Sequence, residues 1–110
     1  MIYEMRQYEC YPGKLAALQE LMDKAALPTF KKCGMQFIGA WSVISGAQEG
    51  TLIYLLGFDS LNDRMKKWEE FHKDQSWLEQ RTQLREKAGG PMVARQTNIF
   101  LNPASYSPIK

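Results

Sequence analysis

The chain has 110 residues, 14 Lys and Arg against 12 Asp and Glu, a net charge of +2, and 45% apolar residues. That length supports one domain, residues 1–110, with a core of its own and no need of metals or disulfides as staples. Its charge is scattered, with Lys31-Lys32 and Lys66-Lys67 the only basic doublets, so the basic stripe of a nucleic-acid binder is missing, and no apolar run approaches membrane-spanning length.

Residues 2–11 alternate as a strand does, with Tyr3 and Met5 on one side and Ile2, Glu4, Arg6 and Tyr8 on the other. This opening has neither the basic flank and apolar core of a signal peptide nor an Arg-rich transit helix, and a cytoplasmic location is expected. Cys10 and Cys33 lack framework or CxxC spacing. Both are expected to be small buried hydrophobes in a reducing compartment. After a turn at YPGK, Leu15, Leu18, Met22 and Ala25 follow at helical spacing; Pro28 should end or kink that helix before a last turn closes at Gly34.

QFIGAWSVI predicts a second strand with Phe37, Gly39, Trp41 and Val43 on one face, and the Gly46 to Gly50 stretch a hairpin connection to a third, residues 51–58. Ser60 stands three residues before Asp63, a capping-box spacing. Leu61, Met65, Trp68 and Phe71 then form the expected buried stripe of a helix. Asp74 and Ser76 offer fresh caps for a second helical segment with Trp77, Leu84 and Ala88 inward, Gly89-Gly90 ends it, and MVARQTNIF supplies the fourth strand. The remainder, with residues 103–110 as its end, reads as an extended tail.

The order β-α-β-β-α-β is the ferredoxin-like, split βαβ plan of an α+β domain, with a four-stranded antiparallel sheet and helices on one face. Leu52, Tyr54, Leu56 and Phe58 lie on the opposite side of the third strand from Thr51, Ile53 and Leu55. Helices cover one side only, so Leu52, Tyr54, Leu56 and Phe58, with Glu4 and Arg6, are assigned to the side that needs another cover. Such a face measures on the order of 500 Å², and leaving it wet forfeits up to about 12 kcal/mol. A second copy packed sheet against sheet about a two-fold axis, enclosing a cavity, is the economical cover.

Several stretches carry a likeness. MIYEMRQYECYPGK resembles the opening of NIPSNAP proteins, and GAW at 39–41, DSLNDR at 59–64, DQSW at 74–77 and the Asn-Ile of the last strand before a Pro-containing tail fall where that family places similar residues. The resemblance implies a dimeric α+β barrel, the group in which two ferredoxin-like subunits pack their sheets together. That wider group includes cofactor-free oxygenases of aromatic quinols, isomerases of small lactones and haem enzymes, whereas NIPSNAP members themselves mostly lack an assigned reaction. Some animal relatives are associated with mitochondria and with protein interactions. One departure stands out: the family commonly carries His-Leu-Trp-x-Tyr in the third strand, and this chain has YLLGF at 54–58, with Tyr54 at the histidine position and Leu56 at the tryptophan position.

For chemistry, Arg6 is the expected orienter of an anionic or carbonyl ligand, Glu4 a proton acceptor and Tyr54 a hydrogen-bond partner, with Tyr8, Gly39, Trp41, Leu56 and Phe58 as surrounding ligand-binding residues. The expected function is binding of a small apolar or aromatic carbonyl compound in a cavity between sheet and helices or between subunits, with a cofactor-free transformation of monooxygenase or isomerase type as a further step open to it. The competing assignment makes Glu4 and Arg6 an ion pair tying sheet to sheet and the protein a non-catalytic interaction or scaffold module working through its dimer surface; it requires an interior filled by Tyr54, Leu56 and Phe58. Trp68 and Trp77 read as helix-packing residues. His72, the single histidine, reads as a partner of its helix C-terminus. No metal site is expected, and HExxH, P-loop, GxGxxG and GxSxG motifs are absent. FIGAW loosely resembles an RNA-recognition strand motif but lies in the second strand instead of the third, without a basic surround.

Overall fold

A computed structural model describes all residues, 1–110. Four strands, β1 (Ile2–Cys10), β2 (Gln36–Ser42), β3 (Thr51–Phe58) and β4 (Val93–Leu101), form one antiparallel sheet in the order β2-β3-β1-β4. Between β1 and β2, α1 (Leu15–Leu21), a π-helical turn (Met22–Ala26) and α2 (Leu27–Lys32) run on as one rod. Pro28 therefore does not end the helix. The wider turn ahead of it relaxes the ladder where the proline ring would crowd a carbonyl, and the Thr29 hydroxyl donates to the Ala25 carbonyl at 2.8 Å. The rod stops at Gly34, whose φ of 72° is a left-handed value that glycine adopts without a Cβ penalty.

The second helical unit follows its caps. Ser60 Oγ accepts from the Asp63 amide at 3.1 Å and starts α3 (Leu61–Lys73), and the Asp74 carboxylate accepts from the Trp77 amide at 2.8 Å and starts α4 (Gln75–Lys87). The buried stripe of α3 differs from the expected one. Trp68 and Phe71 are buried, but Leu61 and Met65 are exposed. Arg64 reaches inward to Glu4 instead, so Arg64, Trp68 and Phe71, at i, i+4 and i+7, form the sheet-facing line and rotate the two aliphatic residues away from it.

All helices pack on the face that carries Glu4, Arg6, Tyr8, Leu52, Tyr54, Leu56 and Phe58. Leu52, Tyr54, Leu56 and Phe58 are buried against Leu18, Ala25, Ala26, Phe30, Trp68, Phe71 and Trp77, with Phe30 and Phe71 ring centroids 5.1 Å apart and Phe71 and Trp77 4.6 Å apart. This exchanges the faces assigned from sequence. The side left without cover is the other one, where Tyr3, Met5, Ile53, Leu55, Trp41, Ile99 and Leu101 lie. Register explains why Trp41 is there: a bulge between Phe37 and Gly39 sets Phe37 toward the helices, opposite Leu56, and Gly39 and Trp41 outward, opposite Leu55 and Ile53. Trp41 is 53% exposed, and Ile99 and Leu101 are 41% and 39% exposed.

Candidate functional site

The alternation of β1 places Glu4, Arg6 and Tyr8 in a row beneath the helices, and antiparallel pairing sets Arg6 opposite Tyr54 on β3 and Asn98 on β4. Glu4 is fully buried. Its Oε1 accepts from Arg64 Nε at 3.0 Å and Trp68 Nε1 at 2.9 Å, and its Oε2 accepts from Arg6 at 2.8 Å, Arg64 at 3.0 Å and Asn98 Nδ2 at 3.0 Å. Burial pushes this carboxyl up, but the hydrogen bonds from Arg64 and Trp68 and the Arg6 charge outweigh it and hold Glu4 below its ordinary range. A carboxylate so occupied is a poor proton acceptor. Geometry gives Glu4 the task of holding Arg6 and Arg64, and the pair lies within one subunit.

Arg6 passes that order along the row. Its Nε and one terminal nitrogen donate to Tyr8 Oη at 3.1 and 2.9 Å, and Tyr8 Oη lies 2.8 Å from Tyr54 Oη. With two guanidinium N–H groups on its oxygen, Tyr8 has its own proton to give to Tyr54. The Tyr54 hydroxyl is the end of this row. Burial first, with Tyr8 beside it, raises the Tyr54 pKa well above the ordinary phenol value against the opposing Arg6 charge, so the phenol stays protonated at neutral pH.

A cavity of about 410 Å³ opens beside this row, between the sheet and the helices. Arg6, Tyr8, Tyr54 and Gln96 come from the sheet side, Leu18, Met22 and Phe30 from the first rod, and Trp68, His72, Trp77, Arg81 and Arg85 from α3 and α4. A wider polar cleft of about 750 Å³ lies next to it, sharing Arg6, Trp68, His72 and Gln96 and adding Arg64, Lys66, Lys73 and Asn98. Arg6, Tyr8 and Tyr54 are thus brought together at one wall. Gly39 and Trp41 are on the opposite side of the sheet, where the Trp41 ring lies over Gly39 and fills the space the glycine leaves: an added Cβ would sit 3.0 Å from that ring. Leu56 and Phe58 are buried in solid core and are not among the cavity's lining residues.

His72, Trp77, Arg81 and Arg85 are among the lining residues not expected from the sequence. His72 was assigned to its helix terminus, yet its ring stacks on Trp68 at 5.4 Å and lines the cavity. Partial burial, and then the charges of Arg6, Arg81 and Arg64, lower its pKa, so the imidazole is neutral at pH 7. An imidazole thus reaches the cavity from α3. Trp77 was read as helix packing alone; its indole Nε1 is buried with no hydrogen-bond partner. Arg81 and Arg85 follow Trp77 at i+4 and i+8, a spacing that could have marked them as its companions. No three His, Cys, Asp or Glu side chains gather at metal-ligating spacing, and no helix is long and apolar enough to cross a membrane.

The NIPSNAP family model matches residues 3–108. The chain belongs to the NIPSNAP family. An uncharacterized NIPSNAP domain protein from Burkholderia xenovorans is 21% identical, with a TM-score of 0.82 over 98% of this chain and 99% of that one. A NIPSNAP family protein from Agrobacterium tumefaciens is 23% identical, with a TM-score of 0.85 over 99% of this chain and 98% of that one. A more distant likeness joins it to a Nitrosomonas europaea protein described as a candidate antibiotic biosynthesis monooxygenase, at 11% identity and a TM-score of 0.62 over 94% of this chain and 98% of that one. No curated protein is detectably similar in sequence. These NIPSNAP relatives share the α+β fold.

Proposed function

We propose that this NIPSNAP protein binds a small apolar or aromatic carbonyl compound in the cavity beneath its helices and moves a proton on it without a cofactor, in the manner of an isomerase. The observation that carries this reading is the pair of Tyr8 and Tyr54 hydroxyls, 2.8 Å apart, at the wall of an otherwise largely apolar cavity. The Tyr54 O–H donates to the carbonyl oxygen, and Arg6, acting through Tyr8, stabilises the negative charge that develops there. Neutral His72 takes a proton from the carbon beside the carbonyl and returns it at the new position. Glu4 binds nothing itself; it fixes Arg6. Dimerisation is part of the same proposal: two copies pack through the outer sheet face, around Trp41, Ile53, Leu55, Ile99 and Leu101, leaving each cavity open on the helix side. That exposed face equally supports a scaffold role.

Titration with 4-phenyl-2-butanone, followed by tryptophan fluorescence because Trp68 and Trp77 line the cavity, tests the reading. Binding is expected to saturate, and Tyr54→Phe to weaken it roughly three- to tenfold, the worth of one hydrogen bond. Exchange of the ketone's α-protons with D2O is expected to rise with pH through a titration below 6.5, the ordinary histidine value, and to level off above it, because His72 must be neutral to accept a proton. A ketone that does not saturate, or one that Tyr54→Phe holds equally well, overturns the proposal.

A further inference from the structure

Trp77, Arg81 and Arg85 stand one above another on α4, at i, i+4 and i+8, spanning about 12 Å of its axis, and all three line the cavity. Trp77, 8% exposed, is the buried end of this column. Arg81 and Arg85 are exposed at the mouth. Neither joins any of the protein's ion pairs. Glu86 shares a shallow outer depression with them but lies outside the cavity.

The cavity's own lining carries charge of one sign, and Glu69 lines only the adjoining cleft. The cavity's ionisable lining is Arg6, Arg81, Arg85, His72, Tyr8 and Tyr54, with no carboxylate. Glu4, the nearest buried acid, is already taken up by Arg6 and Arg64. Two free guanidinium groups at the mouth, with apolar walls below, suit a ligand that is apolar along its body and anionic at one end.

We propose that the cavity takes an apolar or aromatic monocarboxylate, whose carboxylate is received at the mouth by Arg81 and Arg85. This rests on the cavity reading above and narrows its ligand to carbonyl compounds that also carry an acid group. Column and row then divide the work: α4 holds the anion, and Tyr54 faces the reacting carbonyl.

Two probes of equal heavy-atom count separate the ideas, 3-phenylpropionate and its neutral methyl-ketone analogue 4-phenyl-2-butanone, titrated into the wild type and the double variant Arg81→Gln/Arg85→Gln. The arginines are exposed, so the double variant keeps the fold. The acid is expected to bind the wild type at least about tenfold more tightly than the ketone at low salt, as charge-assisted hydrogen bonds allow, and to lose that margin in the double variant and as ionic strength rises. Equal binding of acid and ketone overturns this inference and leaves the cavity reading standing. A margin that survives in the double variant overturns the assignment to α4. Binding of neither probe overturns both.

Discussion

Glu4 gathers five hydrogen bonds from four side chains, one of them 94 residues away in sequence. Replacing its charge by an amide leaves two guanidinium groups facing a neutral oxygen in a buried place. Glu4→Gln is expected to lower unfolding free energy by about 3–5 kcal/mol, the range for breaking a buried pair by removing one partner, as read by urea denaturation at pH 7. Because the folded-state pKa of Glu4 lies below its ordinary 4.5, the deficit is complete above that pH and narrows as pH falls through the folded value. A deficit that is small at pH 7, or unchanged in acid, contradicts the anchoring role. Alternation in β1 made the row Glu4, Arg6, Tyr8 legible in sequence. What filled the carboxylate was not, because Arg64, Trp68 and Asn98 arrive through tertiary packing.

Among elements, the caps and turns spoke most plainly: Ser60, Asp74 and Gly34 end or begin helices through chemistry local to the chain. Faces spoke less plainly, since a period of two states which residues share a side but not which side the helices take. The bulge in β2 was hidden for the same reason, as one extra residue leaves alternation intact on either side of it. It has a measurable consequence. Gly39 lies under the Trp41 ring with no room for a Cβ without displacing it. Gly39→Ala is expected to shift Trp41 and to lower stability by about 1 kcal/mol, the low end for overpacking since the ring is half exposed. Thermal unfolding checks this; an unchanged or raised midpoint means that the ring does not depend on the glycine.

At the scale of the whole molecule, one sheet presents two unlike surfaces. Its helix side holds the polar row and the cavity, and its outer side is an apolar field edged by Gln7, Arg95 and Thr97. The covering argument from sequence carries over with the faces exchanged, because both sides of a four-stranded sheet have the same area. The outer side, with Trp41 at 53% exposure, is the one that water must otherwise wet. In the proposed arrangement the ligand and the second copy meet opposite sides of the same strands. The light-scattering mass of the wild type beside Trp41→Glu tests this division most directly. Two chains of 12.7 kDa, 25.4 kDa together, are expected for the wild type, and a folded single chain of 12.7 kDa that still binds 4-phenyl-2-butanone for the variant. A wild type that is folded and single in solution, or a variant that stays paired, contradicts it.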